Sequence, residues 1–166
     1  MSKAFIFILS IILIFITYVL PPSIPFASEN NLSIKREIIN PGSFYYSFKR
    51  VWEKFALIIL FWPQSKQNYQ SYLLDVRMSE FKKIAEEKNL DEFQKASERL
   101  SYQAGVLTDQ IENSKNKQDK QQLKDKFRSL SKILPELRDL YPANSSFWLL
   151  VQQNIDTLKI LSDRLN

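Results

Sequence analysis

Asp91–Asn113 reads DEFQKASERLSYQAGVLTDQIEN. Its apolar residues Phe93, Ala96, Leu100, Ala104, Leu107 and Ile111 recur three or four positions apart. At 100° per residue they form one stripe, with charged and amide side chains between them. A strand would need alternation with a period of two, and no part of the stretch alternates that way. Asp91 follows the break Asn89-Leu90 and is placed to act as the N-cap. A helix with one apolar stripe has to bury it against other helices, and the same pattern recurs on both sides of this one.

Downstream, Leu123, Phe127, Leu130, Leu134 and Leu137 continue at helical spacing toward Tyr141. Residues 114–120 are polar and read as a loop or a frayed end. Pro135 is expected to kink the helix or restart it near Leu134, because proline lacks the N–H and crowds the preceding turn. Tyr141-Pro142 closes that segment. Asn144 or Ser145 then caps a fifth helix carrying Phe147, Leu150, Val151, Leu158, Leu161 and Leu165 on one face.

Upstream, a helix from about Ser65 to Lys88 has a wide apolar arc. Tyr69, Tyr72, Leu73, Val76 and Ile84 lie on one side of it, and Leu74, Met78, Phe81 and Ala85 on the other. Such breadth predicts a helix packed against two neighbours. Before it, Ser43 caps a helix running to about Phe61, with Pro63 at the join. In that first helix Phe44, Phe48, Val51, Trp52, Phe55, Ile58, Ile59 and Trp62 share an arc opposite Tyr46, Lys49, Arg50, Glu53 and Lys54. The arc is expected to face the bundle core, where aromatic side chains bury large areas. Lying at a membrane interface is the alternative. Helices of this length with short joins favour antiparallel neighbours. The expected fold is therefore all-α, an up-and-down antiparallel bundle of about five helices behind an N-terminal segment.

That segment begins with Lys3, followed by a nearly unbroken apolar run, Ala4–Leu20, and Pro21-Pro22. The pattern is that of an export signal or a membrane anchor. The run is long for a signal core (about 7–15 residues) and short for a spanning helix (about 17–25 residues), so both readings stand. Lys3 predicts that the remainder lies outside the cytoplasmic membrane. The chain divides into a signal or anchor (1–27), a Pro- and Asn-bearing linker (28–42), a bundle (43–141) and a C-terminal helix packing on it (142–166).

Composition removes many chemistries. The chain has no Cys and no His, which excludes thiol catalysis, Ser-His-Asp triads and zinc sites built from N and S ligands. Only two glycines occur, Gly42 and Gly105, so a Gly-rich phosphate loop is excluded. No cofactor is expected. Glu86, Glu87, Glu92 and Glu98 read as solvent-facing rather than as an acid–base pair.

Pro41-Gly42-Ser43, Tyr46, Phe48-Lys49-Arg50 and Trp52-Glu53-Lys54, with Tyr72, Arg77, Met78 and Glu80 further on, carry a resemblance. Over residues 40–112 the chain resembles an uncharacterised bacterial family marked by a PGSPLYxLKRxxE opening and a YxLExAExRLxE helical hairpin. Phe44 stands where the family has proline, which loosens the helix start. The resemblance implies an exported helical domain behind a signal or anchor. It carries no assigned activity and no functional residues to transfer.

Three groups of residues stand out. Trp52, Leu57, Leu60, Phe61 and Trp62 form an apolar helix end that the bundle, a second subunit or a bilayer must cover, making them candidates for partner or membrane contact. Lys115, Lys117, Lys120, Lys124, Lys126, Arg128 and Lys132 form a basic segment. It is a candidate for anionic envelope polymers or lipid heads, although the face opposite a leucine stripe is where solvated charges belong. Without aromatics among these lysines, nucleic acid is not favoured as a partner. Arg77 and Glu80, one turn apart inside an apolar arc, are a candidate structural ion pair. The expected function is non-catalytic: contact with an envelope protein or a second copy, or a structural role, with binding of anionic envelope polymers, lipid head groups or nucleic acid through Lys115–Lys132 as the alternative.

Overall fold

The computed structural model of the chain describes residues 44–59, 63–114 and 116–166, all within the compact unit Asn31–Asn166. Five helices fill them: α1 Phe44–Ile59, α2 Pro63–Glu86, α3 Leu90–Glu112, α4 Lys117–Arg138 and α5 Ser146–Arg164. There is no strand among the described residues. The all-α bundle reading holds. The signal or anchor segment and the linker lie outside the described residues.

Helix ends differ from the sequence reading where local chemistry offers a better solution. α2 starts at Pro63 itself, because the first helical position loses nothing when its N–H is missing. It ends in a left-handed turn at Lys88, φ 53°. There Asn89 N–H bonds to Ile84 O at 3.1 Å and Lys88 N–H to Ala85 O at 3.2 Å, which satisfies two of the last free carbonyls. Asn89, not Asp91, occupies the N-cap of α3. Asp91 and Glu92 fall in the first turn, where the helix dipole favours negative charge.

α4 begins inside the stretch read as a loop. Asn116 Oδ1 accepts from Gln118 N–H at 3.0 Å, and its Nδ2 donates to Asp119 at 2.9 Å. This cap lets Lys117–Lys120 form the first turn. α4 also runs through Pro135 to Arg138 rather than restarting. Leu130, Leu134 and Leu137 are all buried, and their packing outweighs the bond that Pro135 cannot make. For α5, Ser145 is the cap: its Oγ accepts from Trp148 N–H at 3.2 Å.

The predicted stripes of α3 and α4 are buried throughout, and in α5 Val151, Leu158, Leu161 and Leu165 are buried while Phe147 and Leu150 lie half-buried. At one end Phe93 is the centre of an aromatic cluster. Phe81, Tyr141 and Phe147 surround it edge-on at 5.1–5.2 Å between ring centres. The Tyr141 hydroxyl donates to Ala85 O at 2.9 Å, tying the α4–α5 connection to the end of α2.

Side-chain bonds give the helix directions. Gln103 donates to Gln70 and Phe93 packs on Phe81, so α2 and α3 are antiparallel, as their short join favours. Arg138 reaches Gln152 and Lys124 reaches Asn166, so α4 and α5 are antiparallel too. Asn154 meets Ser97 and Ser101 while Arg164 meets Asp109, so α5 runs parallel to α3. Direction alternates along the chain, as expected of an up-and-down bundle, but the second hairpin is laid so that α5 rather than α4 packs closely along α3. The neighbour order is α2–α3–α5–α4.

Candidate functional site

α1 and α2 are joined by a cluster of charges. On α2, Arg77 and Glu80 lie one turn apart and are almost wholly buried, at 1% and 2% exposure. Arg77 Nη1 donates to both Glu80 oxygens, at 2.8 and 2.7 Å. Its Nη2 donates to Glu53 of α1. Lys49 Nζ donates to Glu80 at 2.8 Å and lies 4.0 Å from Glu53. Arg50 pairs with Glu53 at 3.1 Å. Three cations thus neutralise two carboxylates in a site with little water.

Burial alone would raise the pKa of Glu80, but Arg77 and Lys49 outweigh it and hold the carboxyl below its ordinary value. Tyr69 nearby is pushed up to about 12, first by burial and then by the negative charge of Glu53. The cluster therefore holds Glu80 ionised and fixes the position of α1. The two pieces of sequence that carry the family resemblance meet here: Lys49, Arg50 and Glu53 from the opening, Arg77 and Glu80 from the hairpin.

The consequence is that α1 sits the other way round from the sequence reading. Its charged side faces α2, with Glu53 buried, while Val51, Phe55 and Ile58 point outward at 62%, 54% and 71% exposure. The reason is non-local. Glu53 finds Arg77 24 residues away, a partner that no inspection of the first helix alone reveals. The charge cluster ties α1 to α2, and Leu57 lies with Leu73 of α2 and Tyr102 and Val106 of α3 around a small cavity beside it.

The residues proposed for partner or membrane contact separate. Trp52 is half-buried and stacks on Phe55 with ring centres 6.4 Å apart. Leu57 is half-buried. Leu60, Phe61 and Trp62 lie outside the described residues. The outward strip Val51–Phe55–Ile58 was legible as an apolar row, but its direction was not.

The basic segment divides as well. Lys126 is turned into the bundle, where its Nζ donates to Ser71 O at 2.9 Å, Ser71 Oγ at 2.8 Å and Asp75 at 2.7 Å. Burial lowers its pKa against the pull of Asp75, and it serves as a strut between α4 and α2. Arg128 pairs with Asp125 at 2.8 Å. Lys124 donates to Asn166 at 2.6 Å. Lys117 and Lys132 are exposed or nearly so, Lys120 is half-buried and Lys115 lies outside the described residues. A groove of about 520 Å³ between α4 and α5 brings Lys124 and Arg128 together with Lys159 over Phe127, Ile155 and Leu158. Among the described residues, no group of three or more carboxylates is placed to hold a metal ion.

Sequence reasoning missed the inward role of Lys49 and Glu53. It also missed a buried polar layer in which Asn154 Nδ2 donates to Ser97 Oγ at 2.9 Å and Asn154 Oδ1 accepts from Ser101 Oγ at 2.5 Å. The one available signal was that Asn154 interrupts the apolar face of α5.

Fold and site together define an all-α bundle that carries an amphipathic helix on a buried charge cluster. The chain belongs to a family described as a domain of unknown function, DUF5667, which matches residues 38–136. The match takes in α1 to α3 and α4 as far as Glu136, leaving α5 beyond it. No curated protein and no solved structure matches the chain.

Proposed function

We propose that this protein is a non-catalytic, exported helical component of the bacterial cell envelope that acts by contact through the outward face of α1, with the bundle as its mount. The observation that carries this reading is the exposure of Val51, Phe55 and Ile58 on a helix whose charged side is fixed to α2. A row of large apolar side chains facing water is a contact surface in want of cover. The absence of Cys and His from the sequence fits the non-catalytic part, since it removes the common nucleophile–base pairs. The export part rests on Lys3 and the run Ala4–Leu20.

Because the chain lacks cysteine, single cysteines test the reading directly. Ile58→Cys and, as a control on α5, Ile160→Cys would be expressed in the full chain. An impermeant maleimide would be applied to intact spheroplasts and again to the purified protein. Ile160 is 62% exposed, so the control should label in both settings. The thiol at position 58 should label freely when purified and poorly in spheroplasts, where the strip is covered. Equal labelling of the two in spheroplasts would remove the contact role, and labelling of neither until lysis would remove export.

A second reading is favoured by the groove between α4 and α5. Lys124, Arg128 and Lys159 line it against one carboxylate, Asp163, over an apolar floor, an arrangement suited to an anionic polymer with some apolar character. It predicts binding that weakens steeply with salt and is lost when the three are reversed to Glu. Retention of binding in that variant excludes it.

A further inference from the structure

We infer that the face of α1 docks on an anionic bilayer surface, with Val51, Phe55 and Ile58 entering the boundary between headgroups and acyl chains. The inference rests on the contact reading above and names the occupant.

Charge complementarity is the first argument. Of the cations on α1, Lys49 and Arg50 are taken up by the cluster with Glu53 and Glu80, which leaves Lys54. Glu53 is buried and faces Arg77, away from the strip, while Lys54 is exposed beside it. The helix therefore offers an apolar row with Lys54 on one margin and Trp52 on the other, and no exposed carboxylate among its described residues. That is the pattern of a helix lying in the interface plane of a membrane rich in anionic lipid. Trp52, stacked on Phe55 at the edge of the row, is the residue type that favours headgroup depth.

Area is the second argument, counted on the described side chains alone. Three side chains of this size, exposing half to three-quarters of their surface, offer on the order of 400 Å², about half of what each partner gives to a stable dimer. A bilayer sets no such threshold, because each buried methylene contributes separately. The way α1 is held is the third. Fixing its charged side by ion pairs leaves Val51, Phe55 and Ile58 turned outward, as an interfacial helix requires.

The test uses the full chain with a single cysteine at Ile58 or, as a control, at Ile160, each carrying an environment-sensitive fluorophore. The proteins would be reconstituted into vesicles of phosphatidylcholine alone or of equal parts phosphatidylcholine and phosphatidylglycerol. Nitroxide-bearing lipids quench probes at headgroup depth, and iodide quenches probes in water. The inference predicts that lipid nitroxide quenches the probe at 58 in the anionic vesicles and spares the probe at 160. It also predicts that Lys54→Glu lowers the ratio of docked to free probe roughly tenfold. A probe at 58 shielded from iodide yet untouched by lipid nitroxide would overturn it in favour of a protein occupant, leaving the contact reading intact. A probe at 58 open to iodide in every vesicle would overturn the bilayer as occupant, and the spheroplast labelling would then decide the contact reading.

Discussion

Arg77 is the residue on which the placement of α1 depends. It is almost wholly buried and touches both carboxylates of the cluster. Replacing one member of a buried ion network leaves the others charged without compensation, typically at a cost of about 3–5 kcal/mol. Arg77→Met should therefore lower stability by that amount, read as a shift of the urea midpoint with unchanged slope. A loss under about 1 kcal/mol would mean that water reaches the cluster. Glu80 sets the pH response. Its folded-state pKa is depressed below 4.5, so it contributes stability above its unfolded pKa and loses it as pH falls through the folded value. Glu80→Gln should be less stable than the parent at pH 7, with the gap closing below about pH 4. A gap that stays constant from about pH 7 to pH 3 would show that Glu80 does not titrate differently in the two states.

At the scale of elements, legibility depended on whether a helix takes its neighbours from its apolar side. In α3 and α4 it does, and the stripes could be read residue by residue because one periodic row was set against polar positions. α5 could be read nearly as well, apart from Asn154, whose partners Ser97 and Ser101 come from another helix. α1 failed for the same kind of reason on a larger scale. Its apolar row is as clear as any, yet Lys49 and Glu53 find buried partners on α2, and Val51, Phe55 and Ile58 are left outside. Periodicity locates a face; it does not say which way a helix with a second, charged attachment will turn. Pro135 shows local preference yielding to packing. Because α4 passes through it, Pro135→Ala restores one backbone bond without moving the core row. It should raise stability by on the order of 1–3 kcal/mol, measured by thermal or urea unfolding. A loss of stability would mean that the proline-bent geometry is what Leu134 and Leu137 pack in.

For the whole molecule, two helical hairpins lie side by side with α5 beside α3, and the aromatic cluster around Phe93 fastens one end. The bundle class could be read from the sequence because all its helices share one period; the neighbour order could not, since it depends on contacts between residues more than fifty positions apart. α1 stands on this mount through the ion cluster, and the functional proposal follows from its direction. A cysteine scan along residues 49–58 of the purified full chain, read as maleimide reaction rate at neutral pH, tests that direction most simply. The predicted result is fast reaction at 51, 55 and 58, with the slowest at 53. A scan fastest at 49, 53 and 56 would place the apolar row against the bundle and contradict the account.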